Sequence, residues 1–161
     1  MSPNIGFCTF DVVLVECQAR RCSGQKMAFT NGVFDLIHPG HVATLRYARG
    51  LADFLVVGLN SDESVRRLKG PKRPLLLAQE RGKILASLDM VDYVVEFGEN
   101  DPERLIRVLQ PDVLVKGGDY DLSHIVGRDI VEAHGGRVAT VPFLDGRSTS
   151  DIVQRVLDRA Q

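Results

Sequence analysis

From Lys26 onward the apolar positions alternate between two rhythms. Short apolar runs recur at Met27–Thr30, Phe54–Leu59, Tyr93–Phe97, Val113–Val115 and Val138–Val141. The second of these is unbroken, the pattern of a strand buried on both faces. Between the runs, apolar residues fall at helical spacing, as in Val42, Leu45, Ala48 and Ala52. Helices are predicted after His41 and over Asp62–Leu68, Ala78–Leu88, Pro102–Leu109 and Ile125–His134, the last stopping at Gly135-Gly136. A terminal helix over Ser148–Arg159 has Ser148 or Thr149 as its N-cap. Lys69-Gly70-Pro71-Lys72-Arg73-Pro74 is a loop, because two prolines and a glycine forbid a regular element.

Repeated βα units imply an α/β fold: a doubly wound, Rossmann-like parallel sheet of about five strands with helices on both faces. One domain over residues 26–161 is expected. Residues 1–25 fit the βα pattern poorly and read as an extension of unknown role. The chain has 161 residues, enough for one domain with a real core. Its formal net charge of -1 gives no electrostatic argument for binding nucleic acid or a membrane surface. No apolar run is long enough to span a bilayer, and the first apolar stretch lacks the basic leader of a secretory signal. Cys8, Cys17 and Cys22 are an odd set of thiols, which suits a reducing, cytoplasmic setting; their spacing is not a zinc knuckle.

In such a sheet, ligands bind beyond the carboxyl ends of the strands. The loops expected there are Asn31–His41, Asn60-Ser61-Asp62, Lys116–Tyr120 and Asp145–Thr149. The first is the most informative. Phe29 to His41 is a strand end, a small-residue turn and a helix start carrying His38 and His41. A helix N-terminus attracts anions through its free N–H groups and dipole. Gly40 leaves room for a phosphate near the backbone, and imidazoles there can donate to phosphate oxygens as charge develops. Lys69, Lys72, Arg73, Arg81, Lys116 and Arg147 lie in or near the same loops, a cation excess that a polyphosphate explains. No nucleophile elbow, Walker A run or dinucleotide fingerprint occurs.

His38-Pro39-Gly40-His41 resembles the HxGH signature of the nucleotidyltransferase superfamily. Thr30–Asp35, Asn60-Ser61-Asp62, Leu68-Lys69-Gly70, Gln79-Glu80-Arg81, Leu114–Tyr120 and Arg147-Ser148-Thr149 follow in the order found in one of its families. That family is the adenylyltransferases acting on D-glycero-β-D-manno-heptose 1-phosphate, and the resemblance leads us to expect its stand-alone form, without a fused sugar kinase. The resemblance implies that ATP and heptose 1-phosphate give ADP-heptose and pyrophosphate, for lipopolysaccharide inner-core synthesis, with Mg²⁺ accompanying ATP. It implies His38, His41, Lys72 and Arg81 as the catalytic set. Thr30, Asn31, Gly32, Val33, Phe34 and Gly40 would line the nucleotide pocket. Lys116, Gly117, Gly118 and Asp119 would sit near the adenosine. Arg147, Ser148 and Thr149 would cradle the outer phosphates. Asp35 and Asn60 would meet the sugar phosphate. No protein metal site is expected, and small members of the superfamily commonly form homo-oligomers.

Other readings stand beside this one. A cytidylyltransferase for glycerol 3-phosphate shares the motifs at His38–His41 and Ser148-Thr149, although Val115–Asp119 favours the heptose family. A non-catalytic nucleotide-binding module would keep the fold without the reaction. Taken alone, two histidines three apart are most often structural caps, Gly117-Gly118 a strand-ending turn, and Ser148-Thr149 a helix cap.

Overall fold

The computed structural model describes residues 6–118, 124–141 and 148–160. Its elements in chain order are β1 (Gly6–Cys8), α1 (Phe10–Cys22), β2 (Met27–Gly32), α2 (Pro39–Gly50), β3 (Phe54–Asn60), α3 (Asp62–Lys69) and α4 (Ala78–Ala86). They continue with β4 (Tyr93–Phe97), α5 (Glu103–Leu109), β5 (Val113–Gly117), α6 (Arg128–Ala133), β6 (Arg137–Val141) and α7 (Thr149–Arg159). The strands form one six-stranded sheet in the order β1-β4-β3-β2-β5-β6, with every pairing parallel.

Alternation along the strands divides the core in two. Met27, Phe29, Phe54 and Val56 face α1, α5 and α6 through Val13, Cys17, Leu105, Ile106 and Val131. Ala28, Leu55, Val57 and Val115 face α2 and α4 through Leu45, Ala48 and Leu85. Period-two alternation puts neighbouring residues on opposite faces, so a strand covered on both sides reads as uniformly apolar. β3 is buried at all seven positions.

Two expectations change. The sheet has six strands rather than five, because Gly6–Cys8 add an edge strand to it. β1 pairs with β4 through Gly6–Tyr93, Phe7–Val94 and Cys8–Val95, and α1 buries Val13 and Cys17. The Phe7 ring lies where Gly82 of α4 has no side chain; a Cβ there would stand 2.8 Å from it. A three-residue strand is too short to show a periodicity, which is why it escapes a pattern search. The helix predicted from Ile125 begins instead at Arg128, behind Gly127 at φ +87. Among the described residues no helix is long and apolar enough to cross a membrane.

From β2 the chain first builds outward through β3 and β4, then crosses back to place β5 and β6 on the other side of β2. The switch point therefore lies between β2 and β5. These strands pair only at Ala28–Val113 and Phe29–Leu114. Beyond that level they diverge, and a crevice opens at their carboxyl ends.

Candidate active site at the sheet switch point

A cavity of about 550 Å³ occupies this crevice. Its floor is the end of β2, with Thr30, Asn31 and Gly32, continued by Val33, Phe34 and Asp35. His38, Gly40 and His41 face it from the start of α2, and Ser148 and Thr149 from the start of α7. Lys116, Gly117 and Gly118 close the β5 side, and Asn60 the β3 side. These expected residues converge on one space. Asp119 and Arg147, also expected there, lie outside the described residues.

Two helix N-termini meet at the cavity. At α2, His38 is the N-cap: its Nδ1 accepts the Gly40 N–H at 3.1 Å. That bond fixes the neutral tautomer, because a ring nitrogen that accepts leaves the proton on the other. His38 therefore presents Nε2–H as a donor. At α7 the cap is Ser148, whose Oγ accepts the Asp151 N–H at 3.1 Å, while the Asp151 carboxylate accepts the Ser148 N–H at 2.9 Å. Of the two caps read from the sequence, Ser148 is the one used.

His41 stacks on His38 with ring centroids 3.7 Å apart, and its other side meets Phe34 at 5.0 Å. Phe34 adopts φ +49, a conformation uncommon outside glycine that collects at functional sites. Burial lowers the His41 pKa to about 4; His38 beside it adds to the effect, and the Leu36 backbone opposes it. His41 Nδ1 is buried without a hydrogen-bond partner among the described residues. In the free protein His41 is thus neutral. Burial also lowers the His38 pKa, against the pull of Asp151.

Among the described residues three cations line the cavity: Lys69, Arg73 and Lys116. Lys116 donates to Asn31 Oδ1 across the gap between β5 and β2. Desolvation lowers its pKa to about 8, with Asp101 opposing, so it is mostly charged at neutral pH. Thr44, one turn along α2 from Gly40, reaches the β5 side. A Cβ on Gly117 would stand 2.9 Å from its Oγ1, so the missing side chain allows α2 to close on β5.

Two residues of the expected catalytic set are elsewhere. Lys72 is exposed and does not line the cavity; Lys69 and Arg73 do. Arg81 is wholly buried behind the wall. It donates to the carbonyls of Leu76 (2.9 Å), Val33 (2.6 Å) and Asn60 (2.9 Å) and to Asp62 Oδ1 (2.7 Å). A guanidinium spent in this way ties the ends of β2 and β3 to α3 and α4, so Arg81 braces the wall and does not line the cavity. Asp35 is also committed. Its carboxylate accepts from Arg73 Nη1 at 3.0 Å and from the backbone N–H groups of Leu75 and Leu76. Asn60 donates to Ser64 Oγ at 2.9 Å. Sequence reasoning missed Thr44, whose i, i+4 relation to Gly40 on α2 was the available signal.

The donor set also bears on a divalent cation. Among the described residues no group of three His, Cys, Asp or Glu could hold a metal ion. Among the described residues, Asp35 is the one carboxylate lining the cavity, and it is occupied.

Known proteins agree with this architecture. A family model described as cytidylyltransferase-like matches residues 29–155. The bifunctional protein HldE of Citrifermentans bemidjiense is 59% identical over 146 residues, which cover 90% of this chain and 30% of that protein. HldE of Pelobacter propionicus is 56% identical over 149 residues, covering 92% of this chain and 30% of that protein. The chain thus spans about 30% of the length of these curated relatives. The lipopolysaccharide core biosynthesis protein of Thermoplasma volcanium superposes with a TM-score of 0.62 at 28% identity, over 75% of this chain and 98% of that one. Pantoate-β-alanine ligase of Francisella tularensis shares the fold alone, with a TM-score of 0.56 at 16% identity over 86% of this chain and 67% of that one. The matched residues run from β2 into α7 and contain the described cavity lining, and the chain belongs to the cytidylyltransferase-like family.

Proposed function

We propose that this chain is the adenylyltransferase that joins AMP from ATP to D-glycero-β-D-manno-heptose 1-phosphate, releasing pyrophosphate and ADP-heptose for lipopolysaccharide core assembly. The observation that carries this reading is the convergence of two capped helix N-termini, two stacked histidines and Lys116 on one cavity at the switch point. The HldE relatives and the run Val115-Lys116-Gly117-Gly118 support the heptose acceptor and ATP over the glycerol phosphate and CTP alternative.

An oxygen of the sugar phosphate attacks the α-phosphorus of ATP in line, and the bond to the bridging oxygen of pyrophosphate breaks. The protein forms no covalent bond. It positions the reactants and offsets the charge that spreads over the transferring phosphoryl group. His38, with Nε2–H free, donates to a phosphate oxygen. His41, neutral in the free enzyme, gains charge beside a triphosphate, because an adjacent anion favours the protonated ring. The α7 N-terminus receives the outer phosphates. Lys116 holds the nucleotide from the β5 side. Mg²⁺ on the triphosphate supplies further charge neutralisation.

The test is pyrophosphate release with Mg²⁺ and either ATP or CTP, with and without the heptose 1-phosphate. Heptose-dependent release from ATP alone is expected. Release from CTP with glycerol 3-phosphate would move the chain to the alternative. ATP binding without release from any acceptor would leave a binding module.

A further inference from the structure

The cavity is not symmetric about the histidines. On the β5 flank stand Lys116, Gly117 and Gly118, and the α7 cap lines the same cavity with Asp151 near His38; these are the groups assigned above to the nucleotide. On the β3 flank stand Asn60 and the strap between α3 and α4, which contributes Lys69 and Arg73. The reacting centre lies between, at His38 and His41. An acceptor that attacks the α-phosphorus opposite the departing pyrophosphate approaches from the flank the triphosphate does not fill.

That flank holds a fixed cation. Asp35, only 4% exposed, accepts Arg73 Nη1 at 3.0 Å and also the N–H groups of Leu75 (2.8 Å) and Leu76 (3.0 Å). One buried carboxylate thereby sets both the path of the strap and the direction of the guanidinium. The bond to Asp35 uses Nη1, so Nη2 and Nε remain as donors on the planar fork that matches phosphate geometry. Asp35, expected from the sequence to meet the substrate, has its acceptor capacity filled by the strap. An anionic carboxylate would also repel a sugar phosphate. Lys72, one position earlier, faces solvent.

We propose that Arg73, aimed by the buried carboxylate of Asp35, is the residue that binds the phosphate of the acceptor substrate. Arg73 is the binding group and Asp35 a positioning residue. This rests on the nucleotidyltransfer reading above and names the acceptor side of the same site.

The experiment is steady-state kinetics of the full chain with ATP, Mg²⁺ and heptose 1-phosphate, alongside calorimetric binding of ATP alone. Arg73→Gln is expected to raise KM for the sugar phosphate by about 10- to 100-fold, the scale of one charge-assisted hydrogen bond. ATP affinity is expected to stay within about twofold of wild type, since a lost interaction is felt by the substrate that makes it. Arg73→Lys should recover part of the loss, because charge returns without the fork. Asp35→Asn should raise the same KM, and adding it to Arg73→Gln should cost almost nothing more, since the two act as one unit. A merely structural Asp35 would instead lower the melting temperature equally in both backgrounds and leave KM unchanged. Loss of ATP affinity in Arg73→Gln, an unchanged acceptor KM, or a larger acceptor loss in Lys72→Ala would each overturn the proposal. If wild type does not turn over heptose 1-phosphate, the enzyme reading fails on the sugar. Arg73→Gln is then compared on glycerol 3-phosphate with CTP, where the same rise in acceptor KM upholds the proposal. Wild type inactive with both acceptors overturns it together with the enzyme reading.

Discussion

Packing and protonation oppose each other on one ring. His41 is packed between Phe34 and His38, with a buried Nδ1 that finds no partner among the described residues. Its pKa lies near 4 against an ordinary 6.5, so the native protein rejects a proton that the unfolded chain accepts. The sign follows from linkage. Above pH 6.5 both states are neutral and His41 is silent; as pH falls toward 4, only the unfolded state gains the proton, and stability declines. The slope over that window approaches about 1.4 kcal/mol per pH unit. Melting curves from pH 7.5 to 4.5 should show this decline, and His41→Ala should flatten it. The same variant should lose about 10²- to 10³-fold in turnover, the cost of removing one transition-state donor. Near-normal turnover with a flattened melting profile would leave His41 as packing alone.

At the scale of elements, the site depends on how closely α2 approaches β5. Gly117 makes that approach available, since a methyl there would meet Thr44 Oγ1 at 2.9 Å, and Thr44 is itself held by a 3.1 Å bond to the Gly40 carbonyl. The histidines and Thr44 are therefore carried by the same helix start. Gly117→Ala is expected to cost about 1–3 kcal/mol of stability, the usual range for overpacking, and to weaken ATP binding. Thr44→Ala in the same chain should restore most of the melting temperature; a purely additive pair would refute the contact. The limits of sequence reading belong to this scale. Strands β2 to β6 and the histidine loop were legible because a buried parallel strand is an unbroken apolar run and a phosphate-facing turn must be small. The placement of Lys72, Arg73 and Arg81 was not. A basic residue in a loop looks the same in sequence whether it faces solvent, lines a cavity or braces a wall. Only the three-dimensional path of the strap, fixed by Asp35, separates Lys72 from Arg73. Arg81 was recognised by motif position, but its four bonds to three carbonyls and Asp62 have no local signature.

For the whole molecule, the open question in the sequence was whether residues before Lys26 are an appendage or part of the fold. Their contacts argue for the second. Cys17 packs its sulfur 3.7 Å from Met27 at the base of β2, the strand that ends in the active-site loop. Arg20 lies over the Phe54 and Tyr93 rings, donates to the Tyr93 hydroxyl at 3.1 Å and pairs with Asp92 at 3.3 Å. Asp92 in turn accepts the Leu55 N–H at 2.9 Å and pairs with Arg49 of α2 at 3.4 Å. Arg21 donates to the carbonyls of Leu109 and Gln110, which end α5. Helix α1 thus covers β2, β3 and β4 on one sheet face and, at the end opposite the cavity, meets the end of α5 and, through Asp92, Arg49 of α2. Removing residues 1–25 would expose Met27, Phe54 and Tyr93, all fully buried here, and leave the β4 edge open. An unpaired, hydrophobic strand edge promotes association. The truncated chain is expected to aggregate or to lose a single cooperative melting transition. A point change tests the same claim gently: Gly82→Val drives a side chain into the Phe7 ring and should lower stability by about 1–3 kcal/mol, with Phe7→Ala in the same chain recovering part of it. If the truncated protein melts cooperatively at the wild-type temperature and Gly82→Val is neutral, β1 and α1 are an appendage and the five-stranded reading is restored.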